Sequence, residues 1–227
     1  MKFFTLLFPT FFVVVISCAQ ASLGIRAGFA SAGLGSSGGN AISPNARLDN
    51  WQAGAYADVP LFTSGYIQIG VNYLVKGAEL DHPLTHPLNL FTSGASKLKL
   101  QYLELPVNFV YKQPVSFGKL IIGAGPYGAY CTRADYKLSI FNDGRLIQSS
   151  SQHLDFDSSP NVLGTDMSLQ RWDAGINFIA GLELKSFLTL DFHYSQGLLD
   201  MNKLSNNKLK NNYWGITLGF LFDREDW

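Results

Sequence analysis

The sequence predicts an all-β protein, an eight-stranded antiparallel up-and-down transmembrane β-barrel. Eight segments alternate apolar and polar residues with the period of two that marks a β-strand with two different faces. The connections between these segments are alternately long and short, which is typical of barrels that cross a membrane. Charged residues make up 15% and aromatic residues 14% of the 227-residue chain, whereas a typical soluble domain carries about 25% charged residues.

The eight predicted strands follow one another along the whole chain. They span residues 23–33, 50–59, 65–77, 97–112, 118–132, 170–184, 187–198 and 212–222. The alternation is clear in 170–184, where Trp172 and Phe178 share one face and Asp173 and Asn177 the other. The polar faces combine Gly with charged residues, and the apolar faces are rich in Leu, Ile, Phe and Trp. We therefore expect the apolar faces to contact lipid and the polar faces to line a closed lumen.

The connections support this arrangement over two alternatives. Short connections lie at 60–65, 112–117 and 185–187, and long ones at about 34–49, 78–96, 133–169 and 199–211. With eight strands, both chain ends fall on the side of the short turns. A Greek-key sandwich predicts no such rhythm, and a soluble lipocalin-like ligand-binding barrel would bury its apolar face inward.

The N-terminus resembles a secretory signal peptide. Lys2 is followed by an apolar stretch of about 15 residues and by small residues at Ala19 and Ala21, which is the usual order of such signals. We expect residues 1–21 to be the signal peptide and residues 22–227 to form one outer-membrane β-barrel domain. A lipoprotein processing site at Cys18 is the alternative.

The segment 97–112 carries Glu104 and Pro106 among apolar neighbours. Before Tyr102 the odd-numbered residues are polar, and after it the even-numbered residues are polar. This change of parity predicts a β-bulge near 102–103, with Glu104 facing the lumen. Proline lacks a backbone donor and is tolerated in strands at bulges and edges.

A filled polar lumen is the main candidate site. The interior of an eight-stranded barrel is just wide enough to be filled by side chains, and buried charges there must pair with one another. The predicted lumenal network, with a structural role, comprises Arg26, Glu104, Asn108, Asp173, Asn177, Glu183, Asp191 and His193, with Lys76 as a further member. Trp51, Trp172, Tyr194 and Trp214 are predicted interface aromatics.

The sequence predicts no catalytic, cofactor or metal site, and we expect the protein not to be an enzyme. The 17 basic and 17 acidic residues balance, which argues against nucleic-acid binding. Pro83 and Pro87 prevent a helix around His82 and His86, so these are not a helical metal pair, and the acidic segment 155–159 lacks the ligand spacing of a calcium loop. Asp191, His193 and Ser195 share one strand face, whereas a hydrolase triad needs contact across elements.

Several motifs together resemble the PorT-like outer-membrane β-barrel family of Bacteroidetes. They are GIRAGFASAGL (24–34), GAYADVPL (54–61), YLVKGAEL (73–80), LQYLELPVNFVYK (100–112), GAGPYGAY (123–130), RWDAGINFIAGLEL (171–184), HYSQGLLD (193–200) and WGITLGFLF (214–222). The resemblance implies an eight-stranded barrel in the outer membrane of a Gram-negative bacterium, reached after signal peptide cleavage. It implies no single activity, although the family takes its name from a member linked to protein secretion.

Three roles follow as expectations. The first is a structural or accessory barrel that presents extracellular loops and assists protein secretion or envelope assembly; the others are a small porin-like channel and the soluble ligand binder mentioned above. Expected partners are outer-membrane lipid, the outer-membrane assembly machinery, and envelope or secretion proteins that bind the loop 133–169. Such barrels commonly end on an aromatic residue, and either Phe222 or Trp227 fits that signal.

Overall fold

A computed structural model describes residues 21–37, 44–82, 93–142, 145–153, 161–162, 165–166, 170–201 and 208–223. The predicted signal peptide up to residue 20, Cys18, His86, the segment 155–159 and Trp227 lie outside these residues. No helix in the described ranges is long and apolar enough to cross a membrane.

The described residues form eleven strands, eight of which close into an antiparallel barrel, as predicted. The strands are β1 (Ser22–Ser37), β2 (Pro44–Phe62), β3 (Gly65–His82), β4 (Ser93–Val115), β5 (Gly118–Asn142), β6 (Arg145–His153), β7 (Asn161–Val162), β8 (Thr165–Asp166), β9 (Trp172–Leu184), β10 (Leu188–Gly197) and β11 (Lys208–Leu221). The barrel runs β1-β2-β3-β4-β5-β9-β10-β11 and closes where β11 pairs with β1. β6 pairs with the far end of β5, and β7 with β8.

The apolar side chains face outward and the charged ones inward. Phe178, Leu190 and Ile216 are 43–49% exposed, while Glu104 and Asp173 are at most 1% exposed. Strand β10 alternates exposed and buried residues from Leu188 to Ser195. The soluble lipocalin-like alternative is therefore wrong, because it requires the opposite facing.

The short turns lie at one end of the barrel, together with the start of β1 and the end of β11. We call it the short-turn end. Two-residue turns at 63–64 and 116–117 and the turn at 185–187 lie there. The seam between β1 and β11 is paired from Gly24 with Leu221 to Ser37 with Lys208. The Phe222 amide extends it by donating to the Leu23 carbonyl at 2.8 Å. The opposite end, where the long connections join the strands, is the long-connection end.

The predicted bulge at 102–103 is wrong, because β4 keeps one facing throughout. Tyr102 and Glu104 are both fully buried and both point inward. What changes is the chemistry of each face: toward the long-connection end Leu98 and Leu100 fill the interior, and the outward positions carry lysines. A barrel that extends beyond an apolar surrounding into water needs this reversal of polarity.

The irregularity in this region belongs to the neighbouring strand β5. Gln101 pairs with Arg133 while Tyr102 pairs with Cys131, so Thr132 is the extra residue. Both Thr132 and Arg133 are exposed, as expected for a bulge that places two residues opposite one.

The segment 133–169 is not a plain loop, contrary to the prediction. β5 continues to Asn142 and pairs with β6, so that β3, β4, β5 and β6 form a sheet that extends the barrel wall on one side. The sequence carries a signal for it, since Asp135, Lys137 and Ser139 alternate with less polar residues. The signal was hidden because its outward residues are polar, unlike those of the other predicted strands.

Candidate functional site: the filled lumen

The eight residues predicted to form a lumenal network all lie inside the barrel. Arg26, Glu104, Asn108, Asp173, Asn177, Glu183, Asp191 and His193 have exposed fractions of 0–6%. The alternation of each strand sets this facing, because the period of two sends every second side chain inward. The residues divide into separate groups, which are described next in turn.

The first group surrounds Lys76 of β3, and we call it the Lys76 cluster. The Lys76 Nζ lies 2.9 Å from Glu104 Oε2 and 3.1 Å from Asp173 Oδ2, and all three side chains are fully buried. β4 supplies Glu104 and β9 supplies Asp173. The Lys76 ammonium group thus links β3 to β4 and to β9, which is distant in sequence. It compensates the charge of two carboxylates that are removed from water.

Tyrosines and an amide complete the Lys76 cluster. The rings of Tyr102, Tyr127 and Tyr213 lie 4.4–5.3 Å from Lys76 Nζ, a distance at which a desolvated cation is attracted to the ring face. The hydroxyl of Tyr213 donates to Glu104 at 3.1 Å, and that of Tyr127 to Asp173 at 3.3 Å. Asn211 also donates to Asp173, at 2.9 Å.

A second group, the Lys112 cluster, lies near the short-turn end. The Lys112 Nζ is 2.7 Å from both Asp58 Oδ2 and Glu183 Oε2. Gln68 donates to the other oxygen of Asp58 at 2.9 Å, and Lys119 lies 4.0 Å from Glu183. This group repeats the pattern of the first: one lysine bridges two carboxylates from different strands.

Arg26 lies in the lumen next to these groups and binds amides. Its guanidinium donates to Asn72 Oδ1 at 3.2 and 3.3 Å and to Gln68 Oε1 at 3.3 Å, and it lies 5.1 Å from the Tyr56 ring. Because Gln68 also binds Asp58, Arg26 is linked to the Lys112 cluster through one amide.

Four predicted members remain, and one of them, Asn177, is linked through Ser195 to Tyr213 of the Lys76 cluster. His193 Nε2 lies 3.0 Å from Thr217 Oγ1, and Asn177 accepts a hydrogen bond from Ser195. Asp191 faces inward from β10, opposite Thr217 in the sheet. The amide of Asn108 is buried without a hydrogen-bond partner among the described residues. The hydrogen bonds of His193 and Ser195 thus go to neighbouring strands, which does not form a nucleophile–base relay.

Sequence reasoning missed most of the Lys112 cluster. Lys112 shares the parity of Glu104 and Asn108 on β4, so its inward facing could have been derived from the same alternation. Asp58 and Lys119 lie close to the predicted turns at 60–65 and 112–117, where polar residues are common and give no signal of burial.

An apolar layer fills the barrel at the long-connection end. It consists of Ala30, Ala32, Leu34, Leu74, Ala78, Leu98, Leu100, Tyr102, Tyr127, Ala129, Cys131, Ala134, Tyr136, Met201, Leu209 and Tyr213. All are at most 8% exposed. Together with the two ionic clusters, this layer leaves the described part of the lumen filled by side chains.

The four predicted interface aromatics lie on the outer surface but not all at one level, since Tyr194 pairs with Phe178, six residues along β9 from Trp172. Trp51 and Trp172 are 56% and 63% exposed. Ring contacts around the barrel join Trp51–Tyr73, Tyr130–Trp172, Phe178–Tyr194, Phe29–Trp214 and Phe192–Trp214, at 5.0–6.4 Å between centroids. We call this set the aromatic belt.

The outward apolar band reaches from the aromatic belt to the short-turn end. There, Phe62, Phe117, Phe187 and Phe222 are exposed. On β9 the band runs from Trp172 to Leu184, about 40 Å along the strand and roughly 30 Å along the barrel axis at the usual tilt. This height matches the hydrocarbon core of a bilayer, which is about 30 Å thick.

A closed sheet with apolar residues outside and ion pairs inside defines a transmembrane β-barrel of the outer-membrane class. Residues 18–203 match the family described as "Outer membrane protein beta-barrel domain". The chain therefore belongs to this family and is an outer-membrane β-barrel.

Solved structures of several outer-membrane barrels are similar to this chain at low identity. The attachment invasion locus protein Ail of Yersinia pestis is 12% identical, with a TM-score of 0.40 over 89% of this chain and 99% of its own. Neisserial surface protein A is 12% identical (TM-score 0.42; 88% and 98%). OprG of Pseudomonas aeruginosa is 14% identical (TM-score 0.44; 91% and 98%). No curated protein matches the chain.

Proposed function

We propose that the protein is a non-conducting anchor of the PorT-like type, which holds its long-connection end outside the cell for envelope or secretion proteins to bind. The observation that carries this proposal is the filled lumen. Lys76, Glu104 and Asp173 are fully buried and bound to one another, so the space that a channel would use holds side chains. The surfaces available for function are then outside the lumen.

The extension beyond the aromatic belt is the best candidate for a binding surface. β5 continues about twelve residues past Tyr130 and pairs there with β4 on one side and β6 on the other. A paired sheet is a more rigid support than a loop, and recognition elements are commonly held on such supports. Within the described residues, β6 pairs only with β5, and an edge strand can accept an added strand from a partner.

Site-specific photo-crosslinking in cells tests the binding role. A photoreactive amino acid is placed at Leu146 of β6, which is 57% exposed, and in a control variant at Phe117 of the short-turn end, which is 53% exposed. We expect a discrete adduct with an envelope protein from position 146 and a different pattern from position 117. Identical adducts from both positions, or none from position 146, would contradict the proposal.

Conductance in planar bilayers separates the anchor from the small channel. The purified barrel should give no steady ion current, because the Lys76 and Lys112 clusters and the apolar layer occupy the lumen. A stable single-channel current from the unmodified protein would favour the channel instead.

A further inference from the structure

Four cations lie close together on the outer face of β4 and β5, just beyond the aromatic belt. They are Lys97 and Lys99 of β4 and Arg133 and Lys137 of β5, and we call them the β4–β5 cation cluster. All four are exposed, and the side chains of Lys97 and Arg133 are 47% and 57% exposed.

The strand register brings like charges together. Lys97 pairs directly with Lys137, Lys99 with Asp135, and Gln101 with Arg133. Like charges directly opposite each other on one sheet face destabilise the sheet. The fold therefore gains nothing from Lys97 facing Lys137, and an anion between them would remove the repulsion.

Two carboxylates neutralise only half of the cluster. Glu79 pairs with Lys97, and Asp135 binds Arg133 Nε at 2.7 and 3.0 Å. Burial raises the pKa of the Asp135 carboxyl, but hydrogen bonds with Arg133 and His153 outweigh it and hold the pKa below its usual range. Asp135 is therefore charged at neutral pH. Among the described residues, the side chains of Lys99 and Lys137 make no ion pair or hydrogen bond, which leaves the group with two excess positive charges.

The near side of the cluster borders the headgroup layer of a bilayer. Leu103 pairs with Tyr130 of the aromatic belt, and Lys99 lies four residues farther along β4. That is about 13 Å along the strand, or roughly 10 Å along the barrel axis at the usual tilt. The headgroup region extends about 5–8 Å beyond the hydrocarbon on each side, and a lysine side chain can reach toward it.

We propose that the β4–β5 cation cluster binds the phosphate groups of a phosphorylated glycolipid of the lipid A type in the adjoining leaflet. Exposed lysines bind phosphate as point charges, and the guanidinium Nη atoms of Arg133 can donate in parallel. The choice of the outer leaflet, and with it of a glycolipid, rests on the proposed orientation. The ligand chemistry rests on charge, register and height.

Lipid titration of the folded barrel in neutral detergent tests this inference independently of orientation and of any protein partner. The ligands are lipid A, fully dephosphorylated lipid A and inorganic phosphate. The test variant is Lys99→Gln/Lys137→Gln. The matched control is Lys208→Gln/Lys210→Gln, which removes two charges at the same end of β11, three strands away from β5.

We expect lipid A to bind the wild type, and the test variant to bind it about 10-fold more weakly, since each cation near an anionic headgroup contributes substantially. The control variant should stay within about twofold of the wild type, because the electrostatic term falls off within a Debye length. Dephosphorylated lipid A should not distinguish the variants.

Three outcomes would overturn the inference. Equal losses in the test and control variants would indicate general attraction to a positive barrel end. If the wild type and the test variant both bound dephosphorylated lipid A as tightly as the wild type binds lipid A, phosphate recognition would be excluded. Competition by inorganic phosphate at the same concentration as lipid A would indicate a free-phosphate site. Heat-modifiable mobility of each variant verifies that the barrel is folded.

Discussion

Replacing Lys76 by Met is the sharpest test of how the lumen stabilises the barrel. The substitution keeps the length of the side chain but removes the ammonium group that lies 2.9 Å from Glu104 and 3.1 Å from Asp173. Removing one partner of a buried ion pair costs about 3–5 kcal/mol, because the other charge stays buried without compensation. Here two carboxylates are left, and three neighbouring hydrogen bonds offset part of the loss. We therefore expect a loss of about 3–5 kcal/mol.

The assay is reversible urea unfolding of the barrel in lipid vesicles, followed by tryptophan fluorescence and by heat-modifiable gel mobility. The matched control is Lys97→Met, which breaks the exposed pair with Glu79 and should cost about 0–1 kcal/mol. In a rescue variant, Glu104→Gln and Asp173→Asn are added to Lys76→Met. This removes the unpaired charges and should recover more than half of the loss.

The reasoning would be refuted if Lys76→Met unfolded within about 1 kcal/mol of the wild type. It would also fail if the rescue variant were no more stable than Lys76→Met alone, since the loss would then come from packing around the tyrosines and not from uncompensated charge.

Three other predictions use the same unfolding assay. Lys112→Met should cost about as much as Lys76→Met, and the two losses should add within about 0.5 kcal/mol because the clusters share no partner; strong non-additivity would show that the clusters form one network. Phe178→Arg, midway along the outward band of β9, should destabilise the barrel by about 2–4 kcal/mol and Leu188→Arg, at the short-turn end, by about 0–1 kcal/mol; equal costs would contradict the assigned depth. Deleting Thr132 should leave the barrel folded, since the facing on both sides of the bulge is unchanged, and failure to show heat-modifiable mobility would contradict that reading of the register.

The closed eight-stranded barrel was predictable because two independent sequence features agree. The alternation in 170–184 sets which side chains point outward. The alternation of connection lengths places both chain ends on the side of the short turns. Where the strands leave the apolar band, polarity no longer reports facing. Lys97 is polar and points outward, and Leu98 is apolar and points inward, so the polarity of the two faces is reversed there. Their facing nevertheless continues the alternation that places Glu104 inward. The predicted bulge and the missed continuation of β5 have this one cause.

The candidate site was predictable in its membership but not in its pairs. Parity indicates that Lys76 and Asp173 point inward, but they are 97 residues apart in sequence. Which inward residues meet depends on the stagger between strands around the whole barrel, and this stagger cannot be derived from one strand at a time. The single predicted network is therefore two ionic clusters with further polar residues between them.

The Lys76 cluster draws its members from β3, β4, β5, β9 and β11, so it is complete only when the final hairpin has joined the first strands. Until then its carboxylates keep their hydration, and water has to leave as the last edge docks. We therefore expect insertion and closure to occur as one concerted event, because a partly assembled sheet would keep a hydrated interior and would be less stable than the closed barrel.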